Sequence, residues 1–226
     1  MIMGNAVWQL VSQADAVSKS VLLILLGMSI ICWTLFLYKV ITFRLKQKQL
    51  RVALQSMRTL ETFEQLLAVS GAINITFPGY FLSHNLGFLK SLLRSTDGLK
   101  KTLTVAEWDA MQMHIAQTID DMMHYQEQYL GFLNMTIAVA PLLGLFGTVW
   151  GLVHSFIRIS ELQNADIITV APGIAEALIT TMAGLLVAIP AALMFFYLRA
   201  VIHSIEHQLT MIADRTCWLL QRLFVI

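Results

Sequence analysis

Between Tyr129 and Ile157 the chain carries no Asp, Glu, Lys or Arg. This run of about 30 residues exceeds the ~20 that a helix needs to cross a ~30 Å hydrocarbon core. A second run, Ile167–Leu198, contains a single charge, Glu176. A third, Val21–Tyr38, is extended by Val40-Ile-Thr-Phe43. Three such runs leave little choice: the spacing predicts an all-α membrane protein with three transmembrane helices, over 21–43, 129–157 and 169–198. The longer two should tilt or protrude as continuous helices.

Composition agrees. The chain is 57% apolar and 13% charged, with a mean hydropathy of +0.69; ordinary soluble domains are about 45–50% apolar and about 25% charged. A net charge of +1 implies no bulk attraction to nucleic acid. Cys32 and Cys217 are far apart, which suggests neither a disulfide framework nor a metal site. No nucleophile–base pair, metal cluster or phosphate-binding loop is evident, so an enzyme is not expected, nor is a cofactor. The first basic residue, Lys19, stands directly before the apolar core rather than in a basic leader, so the N-terminus reads as retained.

Lys39, Arg44, Lys46, Lys48 and Arg51 follow the first run closely, whereas residues 1–20 hold only Lys19 and 158–168 only Arg158. Basic loops stay inside. Residues 1–20 and the 158–168 hairpin are therefore expected outside, and 44–128 and 199–226 inside. The inner segment reads as helix from Arg44 to Ser70. A break follows at Asn74-Ile-Thr-Phe-Pro-Gly79, then a helix over Tyr80–Arg94 and a turn at Ser95–Gly98. Thr104-Val-Ala-Glu107 is a capping box. After it, Trp108, Met111, Ile115, Ile119, Met122 and Tyr129 recur at helical spacing, which predicts a helix running unbroken into the second span. Residues 199–226 should continue the third.

Positions three and four apart share a helix face. Gly144, Thr148, Gly151 and Ser155 form one stripe of small residues, with Gly147 beside it; Gly173, Ala177, Thr181, Gly184, Ala188 and Ala191 form another. Two readings are open: close helix packing, in which Ser and Thr bond across, and the wall of a narrow polar pore. Thr148 and Thr181 each lie some 15–18 Å below the hairpin at ~1.5 Å per residue, near mid-membrane. Their hydroxyls can both donate and accept, and so hold water or pass protons. Glu176, with Pro172, Thr180 and Ala183, flanks the small stripe. An acid inside a span is a functional candidate by default, although Glu176 can also serve in packing. His154, near the outer end, reads as an interfacial or hydrogen-bonded residue before a relay. Pro141 and Pro190 sit toward the inner ends of their spans and could kink or hinge them, as could Pro172. No Asp, Glu, Lys or Arg lies deep in any span, so a proton path would need a carboxylate from another protein.

The stretches "GLFGTVWGLVHSFI" (144–157) and "VAPGIAEALITTMAGLLVAIPA" (170–191) resemble the second and third transmembrane segments of the ExbB/TolQ proton-channel family, and more distantly the flagellar stator subunit MotA. Weaker support comes from "VWQLVSQADAVSKSVLLILLGMSIICW" (7–33). That stretch and "SFIRISELQNADIITVAPG" (155–173) look slightly closer to the ExbB branch than to TolQ. The resemblance implies an inner-membrane homo-oligomer, most simply a pentamer, around single-span ExbD- or TolR-like partners that carry the missing aspartate. Protons would be the coupling ion, and TonB or TolA would carry the work onward. By motif, Thr148 and Thr181 become pore hydroxyls and Glu176 a path or packing acid; Thr180 stands where many relatives have alanine. The competing classes are a passive channel or transporter, against which the absence of an internal repeat argues, and a membrane scaffold.

Overall fold

The computed structural model describes residues 15–58, 62–95, 98–99, 102–162 and 167–224. Most of the expected outer segment 1–20 and the centre of the 158–168 hairpin lie outside these residues. The described elements are α1 (Ala16–Arg58), α2 (Phe63–Ala72), α3 (Phe77–Leu93), β1 (Arg94–Ser95), β2 (Gly98–Leu99), α4 (Val105–Glu127), α5 (Leu130–Leu162) and α6 (Ile167–Phe224). Apart from the two-residue antiparallel ladder of β1 and β2, the architecture is helical. α1, α5 and α6 are each long and apolar enough to cross a membrane.

The chain divides into two compact units. One takes the chain up to Leu37 together with Tyr129–Tyr197; the other takes Tyr38–Gln128 and the chain from Leu198 onward. In the first unit, Val21 and Leu25 of α1, Ala140 of α5 and Ala188 of α6 form a buried cluster, with Leu143, Ala183 and Val187 packed against it. No more than 28% of the most apolar window of each long helix is buried within the chain. Leu23 and Leu26 on α1, Leu142 and Phe146 on α5, and Leu186 and Leu193 on α6 are exposed. An apolar surface of that extent needs lipid or other chains to cover it.

In the second unit, Phe43, Leu50, Ala53 and Met57 of α1 are buried. So are Leu198, Ile202, Ile205, Leu209, Ile212 and Leu219 of α6, which with the buried Thr216 recur in alternating steps of four and three, the spacing of a coiled-coil seam. α4 buries Trp108, Met111, Ile115 and Met122. Its buried face then continues through Thr118 and Gln126, while Ile119 is only half-buried and Tyr129 is exposed.

Three boundaries depart from the sequence reading. α1 ends at Arg58, and α2 begins after Thr62, whose main-chain N–H is accepted by Gln65 Oε1 at 3.4 Å. The Thr-Phe-Glu-Gln65 capping signal outweighs the helical spacing that appeared to run on to Ser70. α3 begins at Phe77, so Pro78 lies in its first turn, where a missing N–H costs nothing. The Thr76 hydroxyl accepts from Gly79 N at 3.2 Å, and a Cβ at Gly79 would run into the Ile73 carbonyl. The expected break is therefore confined to the residues before Phe77.

The third departure is the largest. α4 and α5 are not one helix: Gln128 turns extended and Tyr129 adopts φ 71°, a left-handed conformation costing a non-glycine residue roughly 1 kcal/mol. The end of α4 is held by cations. Lys39, 6% exposed, donates to the Gln126 carbonyl at 2.8 Å, and Lys46 donates to the Gln126 side-chain oxygen. Positive charge is favoured at a helix C-terminus. The capping box that opens α4 forms as expected: Glu107 Oε2 accepts the Thr104 N–H at 2.9 Å, and the Thr104 hydroxyl accepts the Glu107 N–H at 3.3 Å.

Candidate functional site

Within the first unit, α5 and α6 run side by side with almost no side-chain volume between them. A Cβ at Gly184 would stand 2.6 Å from the Ala140 carbonyl oxygen, and one at Gly144 would stand 3.0 Å from the Thr180 carbonyl oxygen and from Thr181 Cα. A Cβ at Gly147 would meet Thr180 Oγ1 at 2.5 Å, one at Gly151 would meet the Ala177 Cβ at 3.0 Å, and one at Gly173 would overlap the Ser155 hydroxyl. Ala177, Ala188 and Ala191 are buried along the same seam. Backbones approach this closely only where side chains are absent or small. These positions, which the sequence left open between packing and pore wall, are covered by the neighbouring helix of the same chain. The helices continue through Pro141, Pro172 and Pro190.

The hydroxyls are arranged along this seam. Thr181 Oγ1 donates across it to the Gly144 carbonyl at 3.1 Å. Thr180 is 1% exposed, packs on Gly147 and donates within its own helix to the Ala177 carbonyl at 2.7 Å. Thr148 is half-buried and donates to the Leu145 carbonyl at 2.7 Å. Because Gly147 faces Thr180 and Gly144 faces Thr181, Thr148 and Thr181 lie within about one helical turn, ~5 Å, of each other along the seam. The buried Thr180 offers nothing outward, whereas Thr148 and Thr181, both half-buried, have their protons engaged by carbonyls, so what they offer outward is oxygen lone pairs. Those suit a neighbour that is itself a donor, such as a protonated carboxyl. Ser155, also buried, donates to the Gly151 carbonyl at 2.9 Å.

Glu176 is not among these hydroxyls. It sits beside Ala177, which faces Gly151, and so about one turn, ~5 Å, nearer the end of the helix pair next to residues 163–166. There its Oε2 accepts the Asp15 main-chain N–H at 3.4 Å. The Asp15 carboxylate accepts the Trp150 indole N–H at 2.9 Å, which holds its pKa below the ordinary carboxylate value despite some desolvation. His154 and Arg158 line the same small cavity. Asp15 and Trp150 were missed as site residues. An Asp immediately before an apolar helix is legible as an N-terminal signal, but its pairing with a residue 135 positions away leaves no local trace. Among the described residues no cluster of three or more His, Cys, Asp or Glu is placed to hold a metal ion, and both cysteines are free.

The profile of the MotA/TolQ/ExbB proton channel family matches residues 88–211. The chain is 31% identical over 195 residues to the biopolymer transport protein ExbB of Salmonella typhimurium, covering 84% of this chain and 76% of that protein. It is 32% identical over 192 residues to the Tol-Pal system protein TolQ of Pseudomonas aeruginosa, covering 84% and 82%. Against the TolQ of Haemophilus influenzae it is 28% identical over 222 residues, covering 93% and 91%.

Proposed function

The chain belongs to the MotA/TolQ/ExbB proton channel family, and from that premise we propose that it is the channel-wall subunit of an inner-membrane motor driven by the proton-motive force. The observation that carries the reading is the α5–α6 seam. It holds the half-buried Thr148 and Thr181 with their protons engaged by carbonyls and lone pairs free, while the one acid of these two spans, Glu176, stands about a turn away with Asp15. A hydroxyl seam without a carrier is half of a proton path. An ExbD- or TolR-like partner helix bearing an aspartate supplies the other half.

In this reading several copies, most simply five, surround the partner helices, with α5 and α6 toward the axis and α1 outside. The assignment follows from α1 exposing bulky Leu23, Ile24, Leu26 and Ile30 and carrying no comparable small-residue stripe. The N-terminus and the 163–166 connection face the periplasm, and residues 44–128 and the C-terminus the cytoplasm, as the basic residues after the first span require. The partner's carboxyl, when protonated, donates to a seam hydroxyl. Release of that proton restores the carboxylate, and the cycle moves the partner within the ring. Protons are the coupling ion, and the subunit itself makes and breaks no covalent bond of a substrate.

The preferred branch is ExbB-like, energising outer-membrane uptake through TonB, on the strength of residues 7–33 and 155–173. A TolQ-like role in envelope integrity is the second reading, supported by the comparable similarity to TolQ proteins. Expression in cells lacking both kinds of subunit tests the assignment. Restored energy-dependent uptake supports the first branch and restored detergent resistance the second. If neither is restored although the protein assembles with its partner, the motor reading is wrong.

A further inference from the structure

Ser18, on the first turn of α1, is 1% exposed, and its hydroxyl has no hydrogen-bond partner among the described residues. A buried hydroxyl without a partner is costly, and native proteins normally satisfy it with an ordered water. Ser18 lines the cavity that Asp15, Trp150, His154, Arg158 and Glu176 also line. The space is about 10 Å³, close to what one water molecule requires. Trp150 and the Ala16 and Val17 main-chain N–H groups engage the Asp15 carboxylate, and the Asp15 N–H takes one Glu176 oxygen. The Ser18 hydroxyl and the other Glu176 oxygen are the two partners such a water needs.

We propose that this cavity holds a single water between Ser18 and Glu176 that loads protons onto Glu176 at the hairpin end of the helix pair. The proposal rests on the proton-channel reading above. A proton arriving from the outer solvent converts the bound water to hydronium. That hydronium passes one of its protons to a Glu176 carboxylate oxygen, so an O–H bond breaks on the hydronium and one forms on the glutamate. The water is restored and nothing is oxidised or reduced. Asp15, whose pKa the Trp150 hydrogen bond lowers, holds negative charge beside the water and favours the hydronium, while Arg158 limits the net charge. Glu176 stands about one turn from Thr148, so a proton loaded there is already near the seam.

The test uses the complete complex with its single-span partner in proteoliposomes. Proton flux under an imposed gradient is read beside complex recovery and a cryo-EM map fine enough to show ordered water. Ser18→Val fills the space and removes the hydroxyl. Flux should fall by roughly tenfold or more, the rate equivalent of one lost hydrogen bond to a charged group, with recovery unchanged. Glu176→Gln should fall as far, and the double variant no further, because both act in one step. Ser18→Thr, which keeps the hydroxyl, should retain more flux than Ser18→Val. Wild-type flux in Ser18→Val, or a map with Ser18 bonded to protein and no water at this place, overturns the proposal. Thr148→Val/Thr181→Val separates the two readings. If it abolishes flux while Ser18→Val does not, only the loading site fails. If it too leaves flux unchanged, the hydroxyl path itself is wrong.

Discussion

Thr181 gives its hydroxyl proton to the main-chain carbonyl of Gly144, 3.1 Å away on the neighbouring helix of the same chain. One side chain thus both ties α5 to α6 and leaves its lone pairs for the proposed proton path. The two roles differ in energetic weight. Hydrogen bonds between membrane helices average only about 0.6 kcal/mol, whereas a proton path fails when one link is missing.

Replacing Thr181 or Thr148 by valine, nearly isosteric, should therefore leave complex recovery close to normal and lower energy coupling. Serine at either site should rescue in part. The comparison is energy-dependent uptake or envelope integrity beside the yield of purified complex. Wild-type coupling in the double valine variant would remove these hydroxyls from the path.

Gly184→Ala and Gly147→Ala should both damage assembly. At Gly184 the obstacle is the Ala140 main-chain oxygen, 2.6 Å from the added carbon; at Gly147 it is the buried, β-branched Thr180, whose Oγ1 and Cβ lie at 2.5 and 2.7 Å and cannot turn aside. Overpacking of this kind costs about 1–3 kcal/mol. Gly27→Ala, with nothing within 4 Å in the chain, is the control and should be recovered normally. Equal recovery of all three in detergent would show that the seam is looser than described.

Lys39→Met should lower the thermal stability of the detergent-solubilised full chain. It strips the Gln126 carbonyl of the ammonium that holds the end of α4, and an orphaned buried polar group costs about 1–3 kcal/mol. Lys48→Met, at an exposed position, should stay within about 0.5 kcal/mol of wild type. A melting curve separates the two.

His114 should make the helical unit 38–128 with 198–226 acid-sensitive. Its ring stacks on Phe88 at 4.0 Å and on His84 at 5.1 Å, and its Nε2 is buried without a partner. Burial first, and the neighbouring His84 second, hold its pKa below 6.5. In the folded chain the group thus binds its proton less readily than when unfolded. The sign follows: the stability is fully present above pH 6.5 and is lost as pH falls below it toward the depressed folded value. His114→Phe should flatten that part of the stability–pH curve, and an unchanged curve would rule the group out.

The two capping boxes, at Thr62–Gln65 and Thr104–Glu107, were both written in the chain, although a helical spacing that continues across the first hides it in the sequence. Asp15 carried a helix-start signal that gave no hint of Trp150. The break at Tyr129 left little sign of its own: the nearest glycine, Gly131, falls inside α5, and Lys39 and Lys46, which brace the end of α4, come from far away in sequence. In the sequence Lys39 and Lys46 read only as part of the basic excess that marks the inner side.

The sequence by itself determined the three spans, the small-residue stripes and the family, because charge-free length and residue size are local quantities that read directly off the chain. Only the tertiary structure decided which hydroxyl meets which carbonyl, that the glycines close on a helix of their own chain, and that Glu176 stands with Asp15 rather than with the threonines. Each residue of helix advances ~1.5 Å and turns 100°, so a shift of one residue in the pairing of α5 with α6 would give every hydroxyl a different partner. That register is set by how the glycine and alanine backbones nest, and no local pattern encodes it.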